Sequence, residues 1–146
     1  MSGGAGSLNW LAWALLSAAF AALTAILAKI GVKGMDSDVA TLIRTIVIVA
    51  VLGLVLAAAG KLATLPVIGT RSWIFLILSA LATGASWLCY FRALQLGDAA
   101  RVAPIDKLSV VLVALMGVTL LGEQLSMIGW IGIVLIASGA VCIALS

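Results

Sequence analysis

Five long apolar stretches occupy most of this chain and constrain its fold more than any other feature. Each is close to the ~20 residues that a helix needs to cross a membrane. They lack the alternating pattern of membrane barrel strands and are too long to be such strands. We therefore predict an all-α membrane protein in which short loops join five transmembrane helices. The predicted spans are Leu8–Ala28, Val39–Ala59, Ser72–Leu96, Ala103–Leu121 and Met127–Leu145.

Composition supports this class and argues against others. Of the 146 residues, 65% are hydrophobic and 9% are charged, whereas soluble domains have roughly 45–50% apolar and ~25% charged residues. The chain has no His, and its two Cys, Cys89 and Cys142, both lie in apolar stretches. We therefore expect no metal site, no disulfide, no cofactor and no enzyme activity. The small, scattered net charge of +3 gives no reason to expect nucleic-acid binding.

The basic residues near the loops are divided almost evenly between the two sides of the membrane. Lys61 and Arg71 belong to one side, and Lys29, Lys33 and Arg101 to the other. Because Lys and Arg in short loops set the orientation of a membrane protein, so weak a bias predicts one of two behaviours. Either the chain inserts in both directions, or it mildly favours the first and third loops inside.

Charged residues within or at the edge of the spans are expensive and therefore informative. A charge at the centre of a membrane helix costs at least ~2.5–3.5 kcal/mol. Lys29 and Arg44 have long side chains that can reach the interface, and we interpret both in that way. Asp36 and Asp38 lie near enough in sequence to pair with Arg44.

Asp106 and Lys107 are adjacent in the fourth span and are the strongest pointer to a substrate path. Asp106 follows Pro104 in the predicted first turn, where proline and a carboxylate both suit a helix N-terminus. Lys107 opposes the helix dipole there, so we interpret it as a substrate-binding residue. Arg92, near the end of the third span, is predicted at the depth of Asp106. A pair between them would serve either structure or the substrate site.

Aromatic and small residues give two further predictions. Trp87 and Tyr90 share a face of the third helix, and Gln95 continues that polar track one turn later. We predict that these three residues help to form the substrate site. Trp13 on the first helix either joins them or faces lipid. Small residues that bring membrane helices together predict a dimer contact on the last helix, formed by Gly132, Ser138 and Gly139.

Two segments of the chain carry a family resemblance. They are ILAKIGVKG with ATLIRT, and the long stretch that runs from CYFRALQLGDAARVAPIDKL through GEQLS to SGAVCIAL. In these features the chain resembles a single EamA domain of the drug/metabolite transporter superfamily, over residues 1–146. Most members have ten helices, in two five-helix repeats of opposite orientation. One repeat therefore implies an antiparallel homodimer. Its substrate site would lie near the midplane at the repeat interface and be lined mainly by the third and fourth spans.

The resemblance also implies a function. We expect a secondary transporter in the inner or plasma membrane that exports a small metabolite or drug-like solute by alternating access, with proton or ion coupling. No G-x-x-x-x-G-K-[ST] motif is present, so ATP does not drive it directly. Phosphate-translocating relatives use basic residues on comparable segments, which supports Lys107 by analogy. Two other classes stay open: a non-transporting membrane scaffold subunit and a passive channel for small solutes.

Overall fold

The computed structural model describes residues 4–62 and 68–146, with side chains described from residue 10 onward. Over these ranges the chain is helical and forms no strand. Five segments are long and apolar enough to cross a membrane, with α4 and α5 together forming one of them. The prediction of an all-α protein with five membrane-length spans is therefore confirmed. The helices are α1 (Gly4–Gly31), α2 (Ser37–Ala58), α3 (Thr70–Leu96), α4 (Ala99–Asp106), α5 (Ser109–Leu120) and α6 (Met127–Leu145).

Capping side chains fix where two of the helices begin. The Asp36 carboxylate accepts hydrogen bonds from the backbone N–H groups of Asp38 and Val39, at 2.9 and 3.1 Å, so α2 starts immediately after it. Ser126 accepts from the Gly129 N–H at 3.2 Å and starts α6 in the same way. Each cap satisfies backbone donors that the first helical turn leaves without partners.

The fourth span is broken, whereas a single uninterrupted helix was predicted. α4 ends at Asp106 and α5 begins at Ser109. Pro104 lies inside α4 and has no N–H to donate to the preceding turn. Beyond it, the Leu108 N–H donates to the Ile105 carbonyl at 3.0 Å, a bond to the third preceding residue that winds the chain more tightly than an α-helix.

This break places Asp106 and Lys107 differently from the prediction. α4 begins at Ala99, after its N-cap Asp98, so Asp106 is its last residue and Lys107 its C-cap. The expectation that Asp106 lies in the first turn of the helix was wrong. A helix C-terminus favours a cation and disfavours a carboxylate. With respect to α4, Lys107 therefore fits the dipole and Asp106 opposes it.

The chain divides into two compact units. One comprises Met1–Ile30 and Gly97–Ser146, and in it α6 packs against α4 and α5. The other comprises Gly31–Leu96, in which α2 packs against α3. Val32, Phe91 and Leu94 are buried in this second unit. Most other apolar side chains of the long helices are exposed, as suits helices whose surroundings are hydrocarbon.

Candidate functional site

Arg44 contacts two aromatic side chains of α3 within the second unit. Its guanidinium carbon lies 4.3 Å from the centroid of the Trp87 ring and 5.4 Å from that of Phe91. A guanidinium over an aromatic face is attracted to the negative π-surface, which is worth about 0.5–2 kcal/mol. These contacts hold the Arg44 side chain against α3, and its guanidinium lies closer to Trp87 than to Phe91.

The antiparallel pairing of α2 and α3 brings these residues together. At one end of the pair, Gln95 Nε2 donates to the Met35 carbonyl at 2.8 Å, and Arg44 meets Trp87 further along. At 1.5 Å per residue, Arg44 lies about 10 Å from the start of α2 and Trp87 about 13 Å from the end of α3. Both residues therefore lie well inside their spans.

Tyr90 belongs to the same group of side chains. Its ring meets that of Phe91 edge to face, with 6.4 Å between centroids and 68° between planes. Trp87 and Tyr90 are half-buried, whereas Phe91 is buried. Arg44, Trp87, Tyr90 and Phe91 are called the Arg44 cluster below.

Arg92 and Gln95 form a hydrogen-bonded link at the end of α3. Arg92 Nη1 donates to Gln95 Oε1 at 2.8 Å, and the Gln95 amide in turn donates to the Met35 carbonyl at 2.8 Å. Both residues were predicted to bind substrate, and they are in direct contact. Their polar groups tie the end of α3 to the loop that precedes α2.

Asp106 and Lys107 form an ion pair at the break in the fourth span. The Lys107 Nζ lies 3.2 Å from Asp106 Oδ2, and the two side chains are 56% and 36% exposed. In the same unit, Lys29 Nζ donates to the Gly97 carbonyl at 2.8 Å, which occupies this ammonium.

Glu123 folds back over the end of α5, in the loop that follows it. Gly122 adopts a φ of +69°, a left-handed conformation that suits glycine, and the Glu123 N–H donates to the Gly117 carbonyl at 3.0 Å. A Cβ at buried Gly117 would lie 2.6 Å from Glu123 Oε2. Gly117 therefore leaves room for this carboxylate.

The remaining predicted residues lie on open faces of the first unit. Trp13 on α1 is 72% exposed. On α6, a Cβ added at Gly132 or Gly139 would meet no described atom within 4 Å. The Ser138 hydroxyl donates to carbonyls of its own helix at 2.6 and 3.2 Å. The small-residue face of α6 therefore has space beside it for another helix.

Comparison with known proteins identifies the family. Residues 8–145 match the EamA-like transporter family. The chain belongs to this family. A protein of Sinorhizobium sp named "Uncharacterized transporter in cobO 3'region" is 59% identical over 138 residues, which cover 94% of this chain and 98% of that protein. No solved structure matches the chain. The predicted resemblance to an EamA domain is confirmed, and the family is a transporter class and not an enzyme class.

Two members of the Arg44 cluster in this EamA-like chain, Arg44 and Phe91, were not predicted as site residues. Arg44 was interpreted as a side chain that reaches the interface, but its guanidinium contacts aromatic rings of α3. A signal was present, because Trp87 and Phe91 are four residues apart and so face the same way on a helix. The prediction paired Trp87 with Tyr90 alone and gave the face shared by Trp87 and Phe91 no partner on another helix.

Proposed function

We propose that this chain is a secondary transporter that exports a small metabolite or drug-like solute across the inner or plasma membrane. The family match over residues 8–145 carries the proposal, and a 59% identical relative that is named a transporter supports it. Five membrane-length helices suit a multi-pass carrier. The absence of a P-loop motif from the sequence favours a solute or ion gradient as the driving force.

The broken fourth span supports an alternating-access mechanism. Secondary transporters place interrupted helices at their substrate sites, and tight turns within helices often mark hinges. The turn at Lys107 and Leu108 allows α4 and α5 to change their angle without the loss of a long run of helical hydrogen bonds. Asp106 and Lys107 form an exposed ion pair at this turn. A charged group of a solute can take the place of one member of the pair and bind the other.

Substrate contacts are proposed separately for the two units. In the first unit we assign them to Lys107 and Asp106, and in the second to Trp87 and Tyr90. Arg92 and Gln95 are assigned a positioning role, because each uses polar atoms in the link to Met35. Trp13 is retained as a contact on the exposed face of α1.

A second copy of the chain completes the proposed transporter. A five-helix chain corresponds to one of the two repeats that the family resemblance implies, so an antiparallel homodimer supplies the other. The open face at Gly132 and Gly139 supports a dimer contact along α6. The near-even division of basic residues is compatible with insertion in both orientations.

Reconstitution into liposomes tests this proposal. The purified protein is assayed with labelled amines, amino acids, sugars and aromatic carboxylates, and Lys107→Ala is compared with Lys33→Ala, a matched change at an exposed loop lysine. We expect saturable uptake of at least one class, with a loss of about tenfold in Lys107→Ala, which corresponds to one charged contact. Uptake should be unchanged in Lys33→Ala.

Two results would contradict it. If no solute in the panel is taken up, or if Lys107→Ala transports as well as the unmodified protein, the assigned site is wrong. A flux that never saturates and does not respond to an ion gradient would indicate a passive channel instead.

A further inference from the structure

We propose that the Arg44 cluster binds the carboxylate of a small solute with a flat apolar body. This inference deepens the proposed transport function by naming a substrate class, and it rests on that function only for its role in the cell. Binding itself would be a property of α2 and α3, which pack against each other within one unit.

The charges of the second unit favour an anionic ligand. Between Gly31 and Leu96 the sequence has five basic residues and two acidic ones, Asp36 and Asp38. Asp36 caps α2, and Asp38 accepts a hydrogen bond from Ser37 Oγ at 3.3 Å. Both acids therefore have partners at the start of α2, a turn or more before Arg44. Arg44 thus lies in the membrane-spanning part of α2, and the unit has no acidic residue at the same depth.

The guanidinium has donors that no described side chain uses. In residues 10–62 and 68–146, Arg44 makes aromatic contacts but neither a hydrogen bond nor an ion pair. The hydroxyls nearest to it in sequence are engaged elsewhere. Thr41 Oγ1 donates to the Ser37 carbonyl and Thr45 Oγ1 to the Thr41 carbonyl, each at 2.8 Å. The five N–H groups of the guanidinium thus have capacity for an incoming acceptor.

The donor set of the guanidinium selects for a planar oxyanion. Trp87 contacts the guanidinium, with 4.3 Å from its carbon to the ring centroid, and this aromatic contact leaves N–H groups along a guanidinium edge for a ligand. A carboxylate matches such an edge with two parallel hydrogen bonds, which an ammonium or a neutral hydroxyl cannot reproduce. The half-buried rings of Trp87 and Tyr90 offer apolar surface beside that edge, so a solute with a flat apolar body adds stacking to the charge contact.

A purely structural clamp between α2 and α3 is the competing explanation. In that case, the Arg44–Trp87 contact would hold the helices together and carry no ligand. Arg71 provides an internal comparison, because its guanidinium lies 6.0 Å from the Phe75 ring at the start of α3. Both residues of that pair belong to α3 and lie near its N-terminus, where solvent and lipid headgroups can solvate the charge. It therefore serves as a matched arginine–aromatic control.

Three probes of one shape separate the effects of charge from those of shape. Benzoate, benzamide and benzamidinium are nearly isosteric and carry charges of −1, 0 and +1. Their binding to the purified full chain in dodecyl maltoside is measured by equilibrium dialysis at neutral pH. We expect benzoate to bind at least about tenfold more tightly than benzamide, and benzamidinium to show no saturable binding. Equal affinity for all three, or a preference for benzamidinium, would overturn the proposal.

Variants assign the binding to the cluster. Arg44→Gln is expected to weaken benzoate binding by about tenfold or more, and Arg71→Gln to leave it unchanged. Arg44→Lys keeps the charge but loses the planar fork, so an intermediate loss is expected. If Arg44→Gln does not fold, as judged by gel filtration and thermal unfolding, Arg44→Lys and Trp87→Leu provide the measurement instead. Benzoate binding that is unaffected in the folded Arg44 variants would leave only the structural clamp.

Lipid competition and transport complete the design. Displacement of benzoate by submillimolar phosphatidylglycerol would assign the site to lipid headgroups and overturn the solute proposal, whereas lack of displacement supports it. If liposomes transport benzamidinium but not benzoate, and Arg44→Gln transports normally, this inference fails while the transporter proposal stands. Arg44-dependent benzoate binding without transport of any solute would support this inference and contradict the transporter proposal.

Discussion

Lys107 and Asp106 form an ion pair at the point where the fourth membrane span breaks, with 3.2 Å between Nζ and Oδ2. Asp106 is the last residue of α4 and Lys107 is its C-cap. The pair therefore lies at a turn between two helices and not inside a regular helix. A change in the angle between α4 and α5 would alter the surroundings of both charges. The two adjacent charges of the fourth span therefore coincide with the break between α4 and α5.

Exchange of these two charges separates a structural role from a substrate-binding one. In the double variant D106K/K107D an ion pair between the same two positions can still form, so the charges are exchanged while the pairing is kept. We expect thermal unfolding close to that of the unmodified protein and a loss of about tenfold in liposome uptake. Retained uptake in this variant would show that only the pairing matters and that neither charge contacts the solute.

Restoration of a helical hydrogen bond at Pro104 is expected to stiffen the fourth span. Proline in a helix interior costs about 3 kcal/mol because it removes one backbone donor and crowds the preceding turn. In Pro104→Ala, we expect higher thermal stability and slower amide hydrogen exchange at Leu108, together with slower transport. Solute binding measured by dialysis serves as the control and should be unchanged. Faster transport in this variant would contradict a hinge at this turn.

Gly117 is predicted to be coupled to Glu123, whose exposed and flexible side chain must move when a Cβ is added. A Cβ at Gly117 would lie 2.6 Å from Glu123 Oε2, whereas one at Gly53 in α2 would meet nothing within 4 Å. Helix propensity alone favours Ala over Gly by about 1 kcal/mol, so Gly53→Ala should stabilise the protein. Gly117→Ala should stabilise it less than Gly53→Ala does, because the Glu123 carboxylate has to move, and the full gain should appear when Glu123→Ala is also present. Thermal unfolding of the double-mutant cycle measures this coupling, and additive effects would contradict the contact.

The open face of α6 is predicted to hold the homodimer. Leucine at Gly139 would occupy the space that a partner helix needs. We expect Gly139→Leu to shift the detergent-solubilised protein from dimer to monomer in light scattering coupled to gel filtration. Gly53→Leu on α2, where an added Cβ also meets nothing within 4 Å, should leave the dimer intact. A dimer that persists in Gly139→Leu would place the contact elsewhere.

Cross-linking tests the antiparallel arrangement of that dimer. Cys142 lies in the last turns of α6 and is a free, exposed cysteine. In an antiparallel dimer, the two copies of Cys142 lie near opposite membrane faces, so we expect almost no Cys142–Cys142 product in oxidised membranes. Efficient cross-linking would indicate parallel protomers.

The sequence predicted the spans well where an apolar stretch had clear ends. Both ends of α6 agree with the prediction because Ser126 is a strong N-cap and no charge or proline interrupts the helix. The break in the fourth span was not predicted, because Pro104 suits the first turn of a helix as well as a distortion within one. Asp98, a good N-cap residue after Gly97, was the signal for an earlier start.

The candidate site was harder to predict than the spans, for a physical reason. The contact between Arg44 and Trp87 joins two helices and depends on how α2 and α3 are rotated and aligned. Neither helix sequence specifies that rotation alone, because apolar residues surround both helices almost evenly. The local pair of Asp106 and Lys107 was evident from adjacency, but its position relative to a helix end depended on the break.

Counterflow in liposomes tests the central claim, that this EamA-like chain is a carrier, most directly. Vesicles are loaded with an unlabelled solute that the uptake panel has identified, and are then diluted into trace amounts of the same labelled solute. A carrier that works by alternating access exchanges one for the other. We predict a transient accumulation of label above its equilibrium level, which develops about tenfold more slowly in Lys107→Ala. Label that only approaches equilibrium, with no overshoot in the unmodified protein, would contradict the account.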